Sequence, residues 1–469
     1  MRYDLAIIGS GAAGFAAAIT AREHGASVVM IERGTTGGTC VNTGCVPSKA
    51  LLAAAGARHA AASQGFPGIA TEAGPADMTA AVNGKDDLVT GMRAAKYTGL
   101  AAAFGWEIIA GTAAFARTGS APVLEVTGAG TIEAGHYLIA TGSAPLIPPV
   151  EGLERAGYLT SATAMDLTEL PESMLVIGGN SVGLELGQMF ARLGTQVTIV
   201  EAVGRLAPFD EPEISSAIED ALGGEGIGIR TGTAVMSVSG GATARSVRVT
   251  TAAGQELELA CGQILVAAGR RPVTGGLNLA VAGVETGDGG QIVTDPHQRT
   301  SNPRIWAAGD VTGGPAYVYV AAAQGSAAAA TALGISGKAV DCAALPRVTF
   351  TSPAIASAGL TEAELVRSGV ACECRVLPLE AVPRAVVNRD THGVIKLVAE
   401  AGSGRIRGVH AVADGAGEMI TAAVYAIRAG MTVRDLADTW APYLTMSEGL
   451  RLAAQAFGRD VTKLSCCAA

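Results

Sequence analysis

Charge is scarce in this sequence, and positive charge scarcer still. Only 16% of the 469 residues are Asp, Glu, Lys or Arg, and 33 Lys and Arg stand against 42 Asp and Glu, a formal net charge of −9. That balance offers no basic footprint for nucleic acid or an anionic membrane. Aromatic residues make up 4% and histidines number six, the last being His410. Acid–base chemistry beyond that point therefore has no imidazole to draw on. Long apolar runs are missing too: the 49% hydrophobic fraction is largely alanine, broken by 63 glycines and regular charges, and no stretch gives the roughly 20 strongly apolar residues of a membrane span. Eight cysteines are too few for a disulfide scaffold. Asp4 and Gly9 interrupt the amino terminus, which lacks the basic, apolar and small-residue succession of a signal peptide. The expectation is a soluble enzyme or binding protein of about three domains in a cytoplasmic, reducing setting.

What the sequence does have is a repeated pattern. Asp4 to Ile8 reads as a buried strand, Gly9-Ser10-Gly11-Ala12-Ala13-Gly14 as a turn, the Ala-rich stretch to about His24 as a helix, and Ser27 to Ile31 as a second strand ending at Glu32. In such a β-α-β unit Gly9 permits the tight turn, Gly11 lets a pyrophosphate approach the backbone and Gly14 lets helix pack on strand. The helix amino terminus offers N–H groups to phosphate, and Glu32 can accept from a ribose. Gly178, Gly183 and Glu201 each follow Gly9, Gly14 and Glu32 by 169 residues, with Met174 to Ile177 and Gln196 to Val200 as the strands. Two dinucleotide-binding units are expected. Asn180 replaces the middle glycine of the second; its side chain should crowd a diphosphate, although Asn tolerates unusual backbone angles.

Pro145, Pro148, Pro149 and Gly152 form a stiff connector between the units. His136 to Gly142 and Ile264 to Gly269 read as strands leaving a nucleotide domain, the first ending in Ala140-Thr141-Gly142. From about Leu345 the pattern changes to strands such as Arg347 to Thr351 and Val394 to Val398, then helices around Gly417 to Ala429 and Leu450 to Ala456. The expected fold is α/β: two Rossmann-like dinucleotide-binding domains and a C-terminal α+β domain.

Gly37-Gly38-Thr39-Cys40-Val41-Asn42-Thr43-Gly44-Cys45-Val46-Pro47-Ser48-Lys49 follows the first ribose acid closely. On a regular helix, positions five apart rise by about 7.5 Å on different faces, beyond disulfide reach. Gly44 and Pro47 instead suggest a turn into a helix that folds Cys45 back toward Cys40. Cys45 then stands near a helix amino terminus with Lys49 one turn on, and both favour thiolate. At the other end Cys466 and Cys467 are adjacent. Neighbouring Cα atoms about 3.8 Å apart fall short of the usual disulfide span, so this pair should remain as thiols fit for a soft metal ion. Cys372-Glu373-Cys374 puts two thiols on one face of a strand without further ligands, and is read as structural.

The cysteine segment, the two nucleotide units and Ala308-Gly309-Asp310 together resemble the FAD-dependent pyridine nucleotide–disulfide oxidoreductases over essentially the whole chain. That resemblance implies FAD in a domain of residues 1–150 and 270–342, held by Gly9, Gly11, Gly14, Glu32, Lys49, Thr141, Gly142 and Asp310. It implies a nicotinamide nucleotide in residues 151–269, held by Gly178, Gly183, Glu201 and Arg205, and a homodimer formed through residues 343–469. Cys45 would lie against the flavin, Cys40 would face substrate, and Lys49 would sit near flavin N5, paired with Glu185. Disulfide-reducing members carry a His-Pro-x-x-Ser-Glu segment; here Pro442 to Glu448 keeps the glutamate and has Tyr443 where the histidine would stand. The tail pair and that tyrosine resemble the mercury-reducing branch instead. For that branch the implied substrate is thiol-bound Hg(II), handed from Cys466 and Cys467 of one subunit to Cys40 and Cys45 of the other, with Tyr97 and Tyr443 helping to bind it. The branch's amino-terminal Cys-x-x-Cys module is expected to be lacking.

A disulfide reductase of the lipoamide dehydrogenase type and a non-catalytic, metal-sequestering flavoprotein are the competing readings. Glu201 favours NADH and would repel a 2′-phosphate, Arg205 could compensate, and the resemblance suggests NADPH. A separate mercury-delivery protein is compatible with the sequence.

Overall fold

The computed structural model describes residues 2–63, 65–118, 121–241, 244–335 and 337–463, and these fall into two compact units. The first comprises Met1–Ala50, Thr79–Ile147 and Gly269–Val340; the second comprises Leu51–Met78, Pro148–Ala268 and Asp341–Ala469.

In the first unit, β1 (Arg2–Ile8) runs into α1 (Ala12–Glu23) and β2 (Val28–Glu32). β1 lies parallel to β2 on one side and to Gly130–Ile139 on the other, and Ile305–Ala307 pairs parallel to Gly130–Ile139 beyond it. Parallel strands buried on both faces need unbroken apolar runs; Leu5 to Ile8 and Val28 to Ile31 supply them, none more than 5% exposed. The alanine and glycine surplus has its use here. α1 packs on the helix Val318–Ala332 through Ala13, Ala17, Ala328 and Ala329, small enough for two backbones to approach closely. The short helix α2 (Gly38–Asn42) and the longer α3 (Cys45–Ala62) follow β2.

The second unit repeats the arrangement. Ser173–Ile177, Gln196–Val200, Gly228–Arg230 and Gln263–Val266 form a four-stranded parallel sheet, with the helix Ser181–Leu193 after the first strand. Later in the same unit lies a five-stranded antiparallel sheet in which the edge strand Cys372–Pro378 pairs with Val394–Glu400. The helices Ala416–Ala429 and Glu448–Gln455 bury Met419, Ile420, Leu450 and Ala453 against it. Two Rossmann-like sheets and a C-terminal α+β domain are thus present. Among the described residues no helix is long and apolar enough to cross a membrane.

Candidate active site

The end of β1 is shaped for an anion. A Cβ added at Gly14 would meet Gly9 O at 2.3 Å, so the protein's own packing demands glycine there; at Gly11 the nearest protein atom is 4.0 Å away. The space over Gly11 is therefore left for something other than protein. α1 begins at Gly11 with no side chain capping it, so its first N–H groups and positive dipole end face that space. Glu32 closes the turn from the side: Oε2 accepts from Ser10 N at 2.9 Å and Ser10 Oγ at 2.6 Å, and Oε1 accepts from Gly34 N at 2.7 Å. These residues fit the diphosphate and ribose of FAD. Asp310 Oδ2 accepts from Ser143 Oγ at 2.6 Å, Arg270 Nε donates to the same hydroxyl at 2.7 Å, and Thr141 Oγ1 donates to Val273 O at 2.6 Å. Thr141, Gly142 and Asp310 are thereby held on neighbouring loops at the carboxyl ends of the parallel strands, where such sheets bind ligands.

The buried Ser10 hydroxyl also accepts from Gly37 N at 3.0 Å, which ties the nucleotide turn to the segment carrying the cysteines. Asn42 pins that segment, its Nδ2 donating to Thr36 O at 3.1 Å and Gly38 O at 2.9 Å, while its Oδ1 accepts from Arg93 at 2.9 Å. α2 stops at Asn42, Thr43 and Gly44 turn the chain, and Cys45 opens α3. This break brings the two sulfurs together: Cys40 and Cys45 are free thiols, Cys40 half-buried and Cys45 exposed, and their side chains hydrogen-bond. That bond, burial and the negative charge of an ionised Cys45 hold the Cys40 pKa well above its ordinary value near 9, with the Lys49 ammonium pulling it down.

Tyr97 stands beside them. It lies in a five-residue π-helical turn, Ala94–Thr98, between the helices Met78–Arg93 and Gly99–Phe104. Such turns occur often at functional sites because one extra residue re-aims a side chain. Its ring packs edge-on against Phe15 with centroids 4.8 Å apart. Burial first, then the charges of Cys40 and Cys45, push its phenol pKa up. Tyr97 therefore keeps its phenolic proton within electrostatic range of both sulfurs.

The second unit carries the other expected residues. Glu201 Oε2 accepts from Gly179 N at 2.6 Å and Oε1 from Val203 N at 3.0 Å. Asn180, at φ −112° and ψ −174°, has ordinary extended backbone and begins the helix Ser181–Leu193 without a side-chain cap. Its tolerance of unusual angles is not drawn on here. A helix start left open beside Gly178 and Gly183 fits a second dinucleotide. Arg205 donates to Pro208 O at 2.7 Å and Ser215 Oγ at 3.3 Å. Glu185 is 7% exposed, and its Oε1 accepts from Phe350 N at 2.9 Å. Tyr443 is 48% exposed on the turn before the helix Glu448–Gln455. Cys466 and Cys467 lie outside the described residues. Cys372 and Cys374 do not stand without a further ligand, because Glu362 joins them; the sequence reading missed a residue that arrives from a separate helix.

Sequence reasoning also gave no role to Ser10, Asn42, Ser143 or Arg93. Asn42 was visible inside the cysteine motif, but its bonds run to backbone groups that only the folded loop brings near.

Residues 3–325 match the family described as pyridine nucleotide-disulphide oxidoreductase, and residues 345–454 match its dimerisation domain. The chain is 56% identical to the mercuric reductase of Streptomyces lividans over 99% of this chain and 98% of that one. It is 46% identical to the mercuric reductase of Staphylococcus aureus over 99% of this chain and 84% of that one. Among solved structures, the HOCl-induced flavoprotein disulfide reductase RclA from Escherichia coli aligns with a TM-score of 0.85 at 29% identity, covering 97% of this chain and 99% of that one.

Proposed function

Because this chain belongs to the pyridine nucleotide-disulphide oxidoreductase family, we propose that its cysteine pair reduces Hg(II) to Hg(0) at the expense of a nicotinamide nucleotide. The observation that carries the reading is the thiol pair itself: Cys40 and Cys45, hydrogen-bonded to each other with the Tyr97 phenol close by, in a chain 56% identical to a mercuric reductase.

Gly9, Gly11, Gly14, Glu32, Lys49, Thr141, Gly142 and Asp310 would hold FAD, and Gly178, Gly183, Glu201 and Arg205 the nicotinamide nucleotide. When bound, FAD would supply two-electron chemistry, drawing its electrons from the nicotinamide as hydride. The chain's own residues manage the ion. Cys40, facing substrate, gives up its proton and takes Hg(II) from a small thiol by ligand exchange, one metal–sulfur bond forming as another breaks. Cys45 then displaces the second small thiol and closes a dithiolate, and the Tyr97 O–H steadies the sulfur charge. When the ion gains two electrons both metal–sulfur bonds break, the bonding pairs remain on Cys40 and Cys45, and neutral metal leaves. A disulfide between these cysteines cannot bind the ion, so both must stay reduced, as they do in a cytoplasmic enzyme.

In the full proposal the chain acts as a homodimer, Cys466 and Cys467 of one subunit pass Hg(II) to the other subunit's pair, and Tyr443 assists where a histidine would serve a disulfide. NADPH is the proposed donor on family likeness. Glu201 favours NADH, and Arg205 is turned to Pro208 and Ser215, so kcat/KM for the two nucleotides is the deciding comparison. The test of the whole reading adds Hg(II) with excess small thiol and follows nucleotide oxidation and loss of metal vapour, then repeats the assay with glutathione disulfide and dihydrolipoamide. Turnover with mercury supports the reading; turnover with disulfide alone replaces it with the disulfide-reductase one; binding without turnover leaves a sequestering protein.

A further inference from the structure

The edge strand Cys372–Pro378 carries a thiol group of its own. Alternate residues of a strand face the same way, so Cys372 and Cys374 share a face. The antiparallel register sets Lys396 opposite Val376, the next residue on that face. Glu362 arrives from the first turn of a separate helix, Glu362–Arg367, whose start is fixed by a capping box between Thr361 and Glu364. The ligand atoms of Glu362, Cys372 and Cys374 all lie within 4.8 Å of one another. The Cys374 thiol hydrogen-bonds both Cys372 and the Glu362 carboxylate.

The surrounding charge is unbalanced in a cation's favour. Lys396, 2% exposed, is the one ammonium for three carboxylates: Glu211 at 3.0 Å, Glu213 at 3.0 Å and Glu362 at 2.8 Å. Three negative charges against one positive leave the group net negative, which draws a cation toward it. Thiolates select soft d10 ions. With metal–sulfur bonds of about 2.3 Å, two ligands of one ion stand no more than about 4.6 Å apart, so side-chain rotation alone would close this group around a metal. Glu362 is 46% exposed, which leaves ions a way in and a place for water as a fourth ligand.

We propose that Cys372, Cys374 and Glu362 form a second soft-metal site, taking a divalent ion of the zinc, cadmium and mercury class through two sulfurs and one carboxylate oxygen. Binding breaks two S–H bonds, releases two protons to solvent and forms two metal–sulfur bonds; no electrons move. The site holds metal and does not reduce it. It goes beyond the mercury-reduction reading and stands whether or not that reading does.

The test uses the full flavin-loaded chain carrying Cys40→Ser, Cys45→Ser, Cys466→Ser and Cys467→Ser, titrated with Cd(II) alone. Equilibrium dialysis and the ultraviolet sulfur-to-cadmium absorption are the readouts, with flavin absorbance reporting the fold. One Cd(II) per chain is expected. Adding Cys372→Ser and Cys374→Ser should abolish uptake, and adding Glu362→Gln instead should weaken it at least tenfold. Should the double cysteine variant fail to fold, Cys372→Ala alone must weaken uptake at least tenfold. No uptake by the starting chain, or uptake indifferent to Cys372 and Cys374, overturns the proposal. Uptake indifferent to Glu362 overturns the carboxylate ligand.

Discussion

Glu32 and Glu201, 169 residues apart, grip their own glycine-rich turns in the same way. Each carboxylate accepts one N–H from the second residue of its turn, Ser10 or Gly179, and one from the residue two positions beyond itself, Gly34 or Val203. The first clasp differs in one respect: Ser10 adds a hydroxyl that links Glu32 onward to Gly37.

Ser10→Ala tests that link. It removes a fully buried hydroxyl from between a carboxylate and the Gly37 N–H, and an unsatisfied buried group costs about 1–3 kcal/mol. The variant should unfold at lower temperature and lose flavin more readily on dilution, as seen in differential scanning and in flavin fluorescence released to solvent. Unchanged behaviour in both would show that the Ser10 bonds do not hold the cysteine segment.

Cys45→Ser should abolish mercury-dependent nucleotide oxidation, by at least about a hundredfold, because a hydroxyl forms no comparable bond to a soft ion. Serine keeps the size of the side chain at the start of α3, so flavin content should match that of the parent protein. Full activity with bound flavin would remove the dithiolate from the reaction.

Tyr97→Phe keeps the ring against Phe15 and deletes only the hydroxyl. Losing one donor to a developing sulfur charge should cost on the order of tenfold in kcat, or about 1.4 kcal/mol. The raised phenol pKa means that the donor survives to alkaline pH. The parent-to-variant rate ratio should therefore stay level from pH 7 through 9, a pattern that steady-state profiles of both proteins would reveal.

Alkaline stability follows from Cys40. Its folded pKa is raised, first by the hydrogen bond to Cys45 and then by burial, so above the ordinary thiol range the unfolded chain releases a proton that the folded one keeps. Stability contributed by this group is complete below the unfolded pKa near 9 and declines as pH rises beyond it. Melting temperatures measured across pH 8 to 10.5 should fall, and Cys40→Ala should flatten the slope. An equal slope in both proteins would assign the loss elsewhere.

The sequence announced what depends on neighbours in the chain. Apolar runs of strand length, the spacing of Gly9 and Gly14 and the acid at a strand end are local requirements of one β-α-β unit, so both copies could be read with element ends correct to within a few residues. The turn at Thr43 and Gly44 was likewise written in its own residues. Groups assembled across distance left no such mark. Arg93 reaches Asn42 from 51 positions away and Arg270 reaches Ser143 from 127, and neither pairing has a periodicity to betray it. Glu362 escaped notice beside Cys372 and Cys374 for the same reason.

The five-residue loop of helix that bears Tyr97 is, in effect, one amino acid too many for its length. Deleting a single residue between Ala94 and Thr98 would let the rod close up into regular register while the stretch beyond keeps its place, so the side chains borne on that turn are the ones re-aimed. The direction of the phenol thus hangs on one surplus residue.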